Sequence, residues 1–252
     1  SPELDTVIIK VDNQAPNLIC PSDILAPNSP GACTAIVNWI NPTFNDNCPG
    51  ATIQQISGLA NGSVFPAGLS KVAYRVTDTS GNFTECSFIV TVVDTEVPKI
   101  NCPSDLVVSN DPGVCGAIVN GIAPLAAADN CGPFVISYSI NGATNVGGAN
   151  DASGTFFNTG LSQVTYKIID STGNSTTCTF NITVKDVTAP VFDFCPTDIA
   201  VNTDIGTCTA NVSWALPLAS DDCPGLNLSQ TSGLPSGSAF PLGTNTIAYT
   251  AT

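Results

Sequence analysis

Apolar and polar residues alternate through most of this chain with the two-residue period of a strand. Phe88, Val90 and Val92 share one face by that period, and so do Phe180, Ile182 and Val184. β-Branched residues dominate these runs. Gly, Pro, Asn and Asp interrupt them every few residues, and helical periodicity is nearly absent. Such a pattern predicts an all-β sandwich. Near the start it predicts strands over 18–26, 33–40 and 51–57, a short piece at 64–65, and a hairpin of 71–77 and Phe83–Val93. The hairpin turn, Asp78-Thr-Ser-Gly81-Asn82, has residues that tolerate left-handed backbone.

The pattern repeats three times. Cys20-Pro-Ser-Asp23 recurs as Cys102-Pro-Ser-Asp105 and Cys195-Pro-Thr-Asp198. Each is followed by Gly-x-Cys, ending at Cys33, Cys115 and Cys208, and then by an acidic turn: Asp46-Asn-Cys48, Asp129-Asn-Cys131, Asp221-Asp-Cys223. The first two copies close with Asp-x-x-Gly-Asn and a fourth cysteine, from Asp78 to Cys86 and from Asp170 to Cys178. Repetition at this length means a string of like modules. The spacing divides the chain into a closing strand at 1–12, repeats at 13–94 and 95–186, and an incomplete third repeat at 187–252. Repeat two carries about ten extra residues within 141–157, rich in Gly, Ala and Asn, and these are expected to form a lengthened surface loop.

Eleven cysteines in small modules read as disulfides, hence an oxidising compartment, extracellular or cell-surface. Zinc is the rival, and it is weakened by the lack of any His or Cys-x-x-Cys pair. The chain starts at Ser1 and has no Met, so a processed product or a fragment is expected. No apolar run approaches the ~20 residues that span a bilayer, so no direct membrane insertion is expected. A net charge of −14 argues against nucleic acid as a partner.

These combined motifs, Cys-Pro-x-Asp, Gly-x-Cys, Asp-Asn-Cys, Phe65-Pro-x-Gly68 and Thr77-Asp-x-Ser-Gly-Asn…Cys86-x-Phe88, resemble the hyalin repeat (HYR) family over almost the whole chain. The resemblance implies three tandem immunoglobulin-like β-sandwiches, the third lacking its own last strand, in an extracellular and often adhesive protein. It brings no enzyme activity with it. Phe157-Asn-Thr-Gly160 departs from the Phe-Pro-x-Gly type.

Four cysteines per repeat allow three pairings. The start of the first strand and the turn after the second should lie at one end of a sandwich. That favours Cys20–Cys48 with Cys33–Cys86, then Cys102–Cys131 with Cys115–Cys178, and Cys195–Cys223, leaving Cys208 unpaired.

Residues 5–12 match the closing strands that end at Asp94 and Asp186. Residues 245–252 match a penultimate strand without its hairpin partner. An incomplete sandwich exposes an edge that pairs with other chains. The expectation is therefore a head-to-tail homopolymer, in which Val7, Ile8, Ile9 and Val11 of one subunit complete repeat three of the next. Alignment on Asp12 puts Lys10 at the inward position of Val92 and Val184, and a one-residue slip would instead bury Val7, Ile9 and Val11. The alternative is the stalk of a large multi-HYR adhesin that binds its ligand elsewhere.

Linker Asp12, Asp94 and Asp186 should meet the acidic turns (Asp46, Asp129, Asp221, Asp222) and the hairpin turns (Asp78 with Asn82, Asp170 with Asn174). Calcium wants six to eight such oxygens, and no other cofactor is expected. Asp and Asn also form turns without any metal. Sequons at Asn61, Asn82, Asn174, Asn181, Asn211 and Asn227 permit glycans. Trp39 and Trp214 recur with Tyr74, Tyr166 and Tyr249, as core packing would require, and Gly121 takes the Trp place in repeat two. An enzyme needs a nucleophile, base or metal in a pocket. This chain has no His, its notable polar residues recur in register, and the adjacent Asp221 and Asp222 suit a turn, not a catalytic carboxylate pair.

Overall fold

The computed structural model describes residues 12–252, so the donor-strand candidates Val7, Ile8, Ile9 and Val11 lie outside the described residues. Those described are all-β, with strands joined by turns and no helix among them. The chain divides into two compact units. One takes in the chain up to Ile100 with Ala126–Val135 and Lys167–Thr176; the other takes in Asn101–Leu125, Ile136–Tyr166 and Thr177–Thr252.

Repeat one shows how the sequence builds the sandwich. A four-stranded sheet runs in the order Ile24–Pro27, Phe83–Val93, Gly68–Thr77, Thr52–Ser57. Two short ribbons, Asn17–Ile19 with Thr43–Asn45 and Thr34–Ile36 with Val64–Pro66, cover its face. The buried cluster draws Leu18, Ala35, Val37 and Phe65 from the ribbon side and Val72, Tyr74, Val76, Phe88, Val90 and Val92 from the sheet. The Phe88-Val90-Val92 row does point into this core. Trp39 meets Phe65 and Phe88 edge-on, with centroids 5.8 and 5.3 Å away, and its indole N–H donates to Tyr74 Oη at 3.1 Å. The recurring Trp-Tyr pair is thus a packing device, made again by Trp214 and Tyr249 at 2.9 Å.

The strand expected over 18–26 is two strands in different layers. Pro21 has no N–H to give to a ladder, and the Cys20-Pro-Ser-Asp23 segment carries the chain from ribbon to sheet. Asp23 Oδ1 then accepts the Ile89 amide at 2.8 Å, and Asp105 does the same for Asn181. Thr43–Asn45 is a strand the alternation does not reveal, and Thr34–Ile36 is shorter than the expected 33–40.

Repeat two repeats the plan, with a sheet ordered Leu106–Ser109, Ser175–Lys185, Gly160–Asp170, Phe134–Gly142, Val146–Ala149. The last of these corrects the expected loop. The extra residues add a fifth strand, with Ser137 opposite Ala149 and Ile140 opposite Val146. Glycines make it possible, because a Cβ on Gly148 would lie 2.6 Å from the Tyr138 hydroxyl oxygen. The same insertion replaces the missing Trp. Tyr166 Oη donates to the Ile122 carbonyl and accepts the Ala152 amide, both at 2.9 Å, and Ile122 and Ala152 fill the core there.

The disulfides differ from the expected pairing. Cys20 bonds Cys86 and Cys102 bonds Cys178, with Cα atoms 5.8 and 5.7 Å apart. Register explains both. Ile24–Pro27 runs parallel to the closing strand with Ile24 opposite Val90, so four residues back Cys20 faces Cys86; Leu106 opposite Ile182 sets Cys102 against Cys178 likewise. Cys20–Cys48 fails because Asn17–Ile19 is antiparallel to Thr43–Asn45, with Asn17 opposite Asn45. From that pair the two cysteines run in opposite directions, about 20 Å apart along the strands at ~3.3 Å per residue.

Phe88→Ala should cost about 3–5 kcal/mol of stability, read by denaturant unfolding, because it empties a site that touches both layers. Hydrogen bonds from the Asn181 backbone and side chain hold the Asp105 carboxyl below its ordinary range against a smaller opposing effect of burial. Its stabilisation is therefore complete above the unfolded pKa of ~3.9 and is lost as pH falls through the lower folded value. Wild type should melt above Asp105→Ala at neutral pH, and the gap should close in acid.

Candidate functional site at the repeat junctions

The linker, the acidic turn and the hairpin turn do converge. Asp94 directly follows the closing strand of repeat one, Asp129 lies in the acidic turn of repeat two, and Asp170 opens its hairpin turn. One carboxylate oxygen from each lies within 4.8 Å of the other two. Asp12, Asp46 and Asp78 form the same triad one repeat earlier.

Local hydrogen bonding fixes the linker and hairpin-turn members. Asp94 Oδ1 accepts the Glu96 amide at 3.1 Å, as Asp12 does for Gln14 and Asp186 for Thr188, so the three linkers turn alike. Asp170 Oδ1 accepts the amides of Thr172 and Asn174, and Oδ2 accepts the Asn174 side-chain amide at 2.8 Å. Asp78 is held in the same way by Ser80 and Asn82. Burial is the largest influence on both carboxyls and pushes their pKa up. The hydrogen bonds together outweigh it and leave both below the ordinary range. Asn82 and Asn174 also reach back to the main-chain oxygens of Asp12 and Asp94. These two asparagines therefore position carboxylates through their amide nitrogens.

Asp94, Asp129 and Asp46 hold oxygens without such partners. Asp94 is 7% exposed, yet its Oδ2 is buried without a hydrogen bond, and so is Asp129 Oδ1. Both carboxylate oxygens of Asp46 are in the same condition. A buried anionic oxygen beside two other carboxylates is costly unless a cation sits among them. The donors are all oxygen, which suits calcium better than zinc. At the third linker Asp186 and Asp221 come together with Cys223, whose sulfur is in a disulfide and offers no thiolate. Asp222 is exposed and outside this group, in the place Asn47 and Asn130 hold earlier.

The acidic turn has a second task that sequence reasoning missed. Cys131 bonds Cys33 of repeat one, and Cys223 bonds Cys115 of repeat two, with Cα atoms 4.6 and 4.7 Å apart. The expected Cys33–Cys86, Cys115–Cys178, Cys102–Cys131 and Cys195–Cys223 pairs are thereby excluded. Cys48 and Cys195, expected in bridges, are free thiols together with Cys208. Asp129 Oδ2 accepts the Cys131 amide at 2.9 Å, and Asn130 donates to the Ala32 carbonyl, so one tripeptide faces both the acidic group and the preceding repeat. The signal was present in the sequence, since each repeat places its third cysteine beside the turn that meets its neighbour. An Asp12 acceptor, burial and the surrounding carboxylates push the Cys48 thiol up.

The sequon asparagines sit differently. Asn61, Asn82, Asn174, Asn181 and Asn211 donate their side-chain amides to internal acceptors, while Asn227 is exposed.

A family model described as the HYR domain matches residues 11–92, 93–184 and 185–252. Hyalin of Strongylocentrotus purpuratus is 32% identical over 97% of this chain, and hyalin of Lytechinus variegatus is 31% identical over 96%. The chain spans only 20% and 44% of their lengths. A sushi, von Willebrand factor type A, EGF and pentraxin domain-containing protein of Rattus norvegicus is 29% identical over 73% of the chain, which spans 5% of it. Among solved structures, human CDH23 EC21-23 aligns over 94% of each chain at 15% identity, with a TM-score of 0.38. Four disulfides and these relatives make the chain an extracellular or cell-surface one. It belongs to the HYR domain family, in three tandem repeats.

Proposed function

We propose that this chain is a structural, adhesion-type element of an extracellular filament, a non-enzymatic string of HYR repeats stiffened by calcium at the two junctions that carry a full carboxylate triad. The observation that carries the reading is the Asp94 carboxylate, buried in the linker with Oδ2 unpartnered and facing Asp129 and Asp170. Calcium there would take oxygens from Asp94, Asp129 and Asp170, and from Asp12, Asp46 and Asp78 one repeat earlier. The ion would tie linker, acidic turn and hairpin turn together, so it would resist bending between repeats.

The third repeat supports the assembly reading. Ala248–Ala251 pairs with Leu228–Ser232 on one side only among the described residues. Its counterpart Gly68–Thr77 pairs on both sides. Ile199 and Val201 are 49% and 58% exposed, where the matching Ile24 and Ala26 are half-buried against the closing strand. In a filament, residues 5–12 of a neighbouring copy supply that strand. Asp12, Asp94 and Asp186 make the same linker turn, and with Asp12 aligned on them, turning Val7, Ile9 and Val11 inward would take a one-residue bulge before Asp12.

Calcium should raise the melting temperature, adding about 2.7 kcal/mol of stability per occupied site at a hundredfold excess over Kd. Asp94→Asn should remove the junction's share and Asp129→Asn much of it, measured by calorimetric titration and melting. A melting temperature indifferent to calcium in wild type would sink the calcium reading. Separately, chains lacking residues 1–11 should stay monomeric in light scattering where the full chain associates. Equal association by both would refute strand donation.

A further inference from the structure

The disulfides of this chain are of two kinds. Cys20–Cys86 and Cys102–Cys178 close a repeat on its own final strand. Cys33–Cys131 and Cys115–Cys223 instead join the second cysteine of one repeat to the acidic-turn cysteine of the next. Two successive junctions obey this rule, and it assigns a partner to two of the three free thiols. Cys208 is the second cysteine of repeat three, and Cys48 is the acidic-turn cysteine of repeat one.

Both half-sites are already built. Around the bridged Cys33, the Ser29 amide donates to the Thr34 carbonyl at 2.7 Å and the Ala67 amide to the Cys33 carbonyl at 3.1 Å. Around Cys115 the same bonds run from Asp111 to Gly116 and from Thr159 to Cys115. Around Cys208 they run from Asp204 to Thr209 at 2.8 Å and from Leu242 to Cys208 at 3.1 Å. Its backbone thus has the bridged conformation, and its side chain is exposed. On the other half, Asp12, Asp46 and Asp78 reproduce around Cys48 the triad that accompanies Cys131. Cys195 differs, because it is the counterpart of Cys20, whose partner Cys86 lies on the closing strand of its own repeat.

We propose that Cys208 of one chain forms a disulfide with Cys48 of a second copy, locking successive subunits as Cys33–Cys131 and Cys115–Cys223 lock successive repeats. A second copy is the fitting occupant because each chain carries both complementary halves. The inference rests on the head-to-tail reading above. The bond forms by exchange with a low-molecular-weight disulfide. One protein thiolate attacks it, giving a mixed disulfide and releasing one small thiol. The other protein thiolate then displaces the second small thiol, and the small disulfide is reduced as the protein pair is oxidised.

The test incubates the full chain with calcium in an oxidised and reduced glutathione buffer, followed by non-reducing electrophoresis and peptide mass spectrometry. Wild type and Cys195→Ser should give a ladder that reductant collapses. Cys48→Ser and Cys208→Ser should each stay monomeric when incubated alone. Mixing those two variants should yield a dimer containing a Cys208–Cys48 peptide. With isotope-labelled and unlabelled chains mixed, the linked peptide should combine both labels. Exclusively same-label pairs would overturn the proposal by placing the bond within one chain. A Cys48 bonded to any other cysteine in native unreduced material would overturn it too. If light scattering shows association while both thiols remain alkylatable, the bond is wrong and the head-to-tail reading stands. If chains neither associate nor crosslink, both fall.

Discussion

The closing strand is the constraint on which each repeat depends. In repeat one, Phe83–Val93 lies inside the sheet, parallel to Ile24–Pro27 and antiparallel to Gly68–Thr77. It therefore supplies main-chain partners to two strands at once, and its alternate residues Phe88, Val90 and Val92 supply the floor of the core. It also holds Cys86, which ties the Cys-Pro-x-Asp kink to the sheet, and it leads directly into Asp94, the first member of the next junction. Where no such strand is among the described residues, as in repeat three, the segment from Ile199 to Val201 forms no strand and its apolar side chains face outward. Hydrophobic burial and ladder pairing fail together there because one element provides both.

The junctions use a different economy. Asp129 and Cys131 lie two residues apart in one short turn, and that turn meets the linker carboxylate with one residue and the preceding repeat's cysteine with the other. The Asp129 carboxylate also caps this turn by accepting the Cys131 amide, which fixes the two side chains relative to one another. Asn130, between them, donates to the preceding repeat at Ala32. The acidic turn is thus a single docking surface, which explains why its Asp and Cys recur in all three repeats while the middle residue changes to Asp222 in the third.

Much of this was legible in the sequence, for identifiable reasons. The Phe88-Val90-Val92 row, the Asp78 hairpin and the convergence of Asp94, Asp129 and Asp170 are local patterns, or follow from where local patterns must sit in a sandwich. The disulfides were not legible, because pairing was sought inside each repeat as if it were a closed module. Equal offsets (Cys20 to Ile24, Cys86 to Val90) encode the parallel register, but only once that pairing is known. The added strand at Val146–Ala149 was hidden by composition. Glycine weakens strand propensity, and here it is required for Tyr138 to approach the neighbouring backbone.

The overlap of the disulfide loops has a mechanical consequence. The loop from Cys20 to Cys86 overlaps that from Cys33 to Cys131, which overlaps Cys102–Cys178, which overlaps Cys115–Cys223. Every residue between Cys20 and Cys223 therefore lies inside at least one covalent loop, the linkers at Asp94 and Asp186 included. Tension along the chain cannot draw out a whole repeat without breaking a bond, since the two ends of each loop are joined through sulfur. Bridges confined to single repeats would have protected the modules and left the linkers to carry the strain alone. Crossing the junction shares that strain between the linker and a bond beside it, and the acidic triad sits where the two meet.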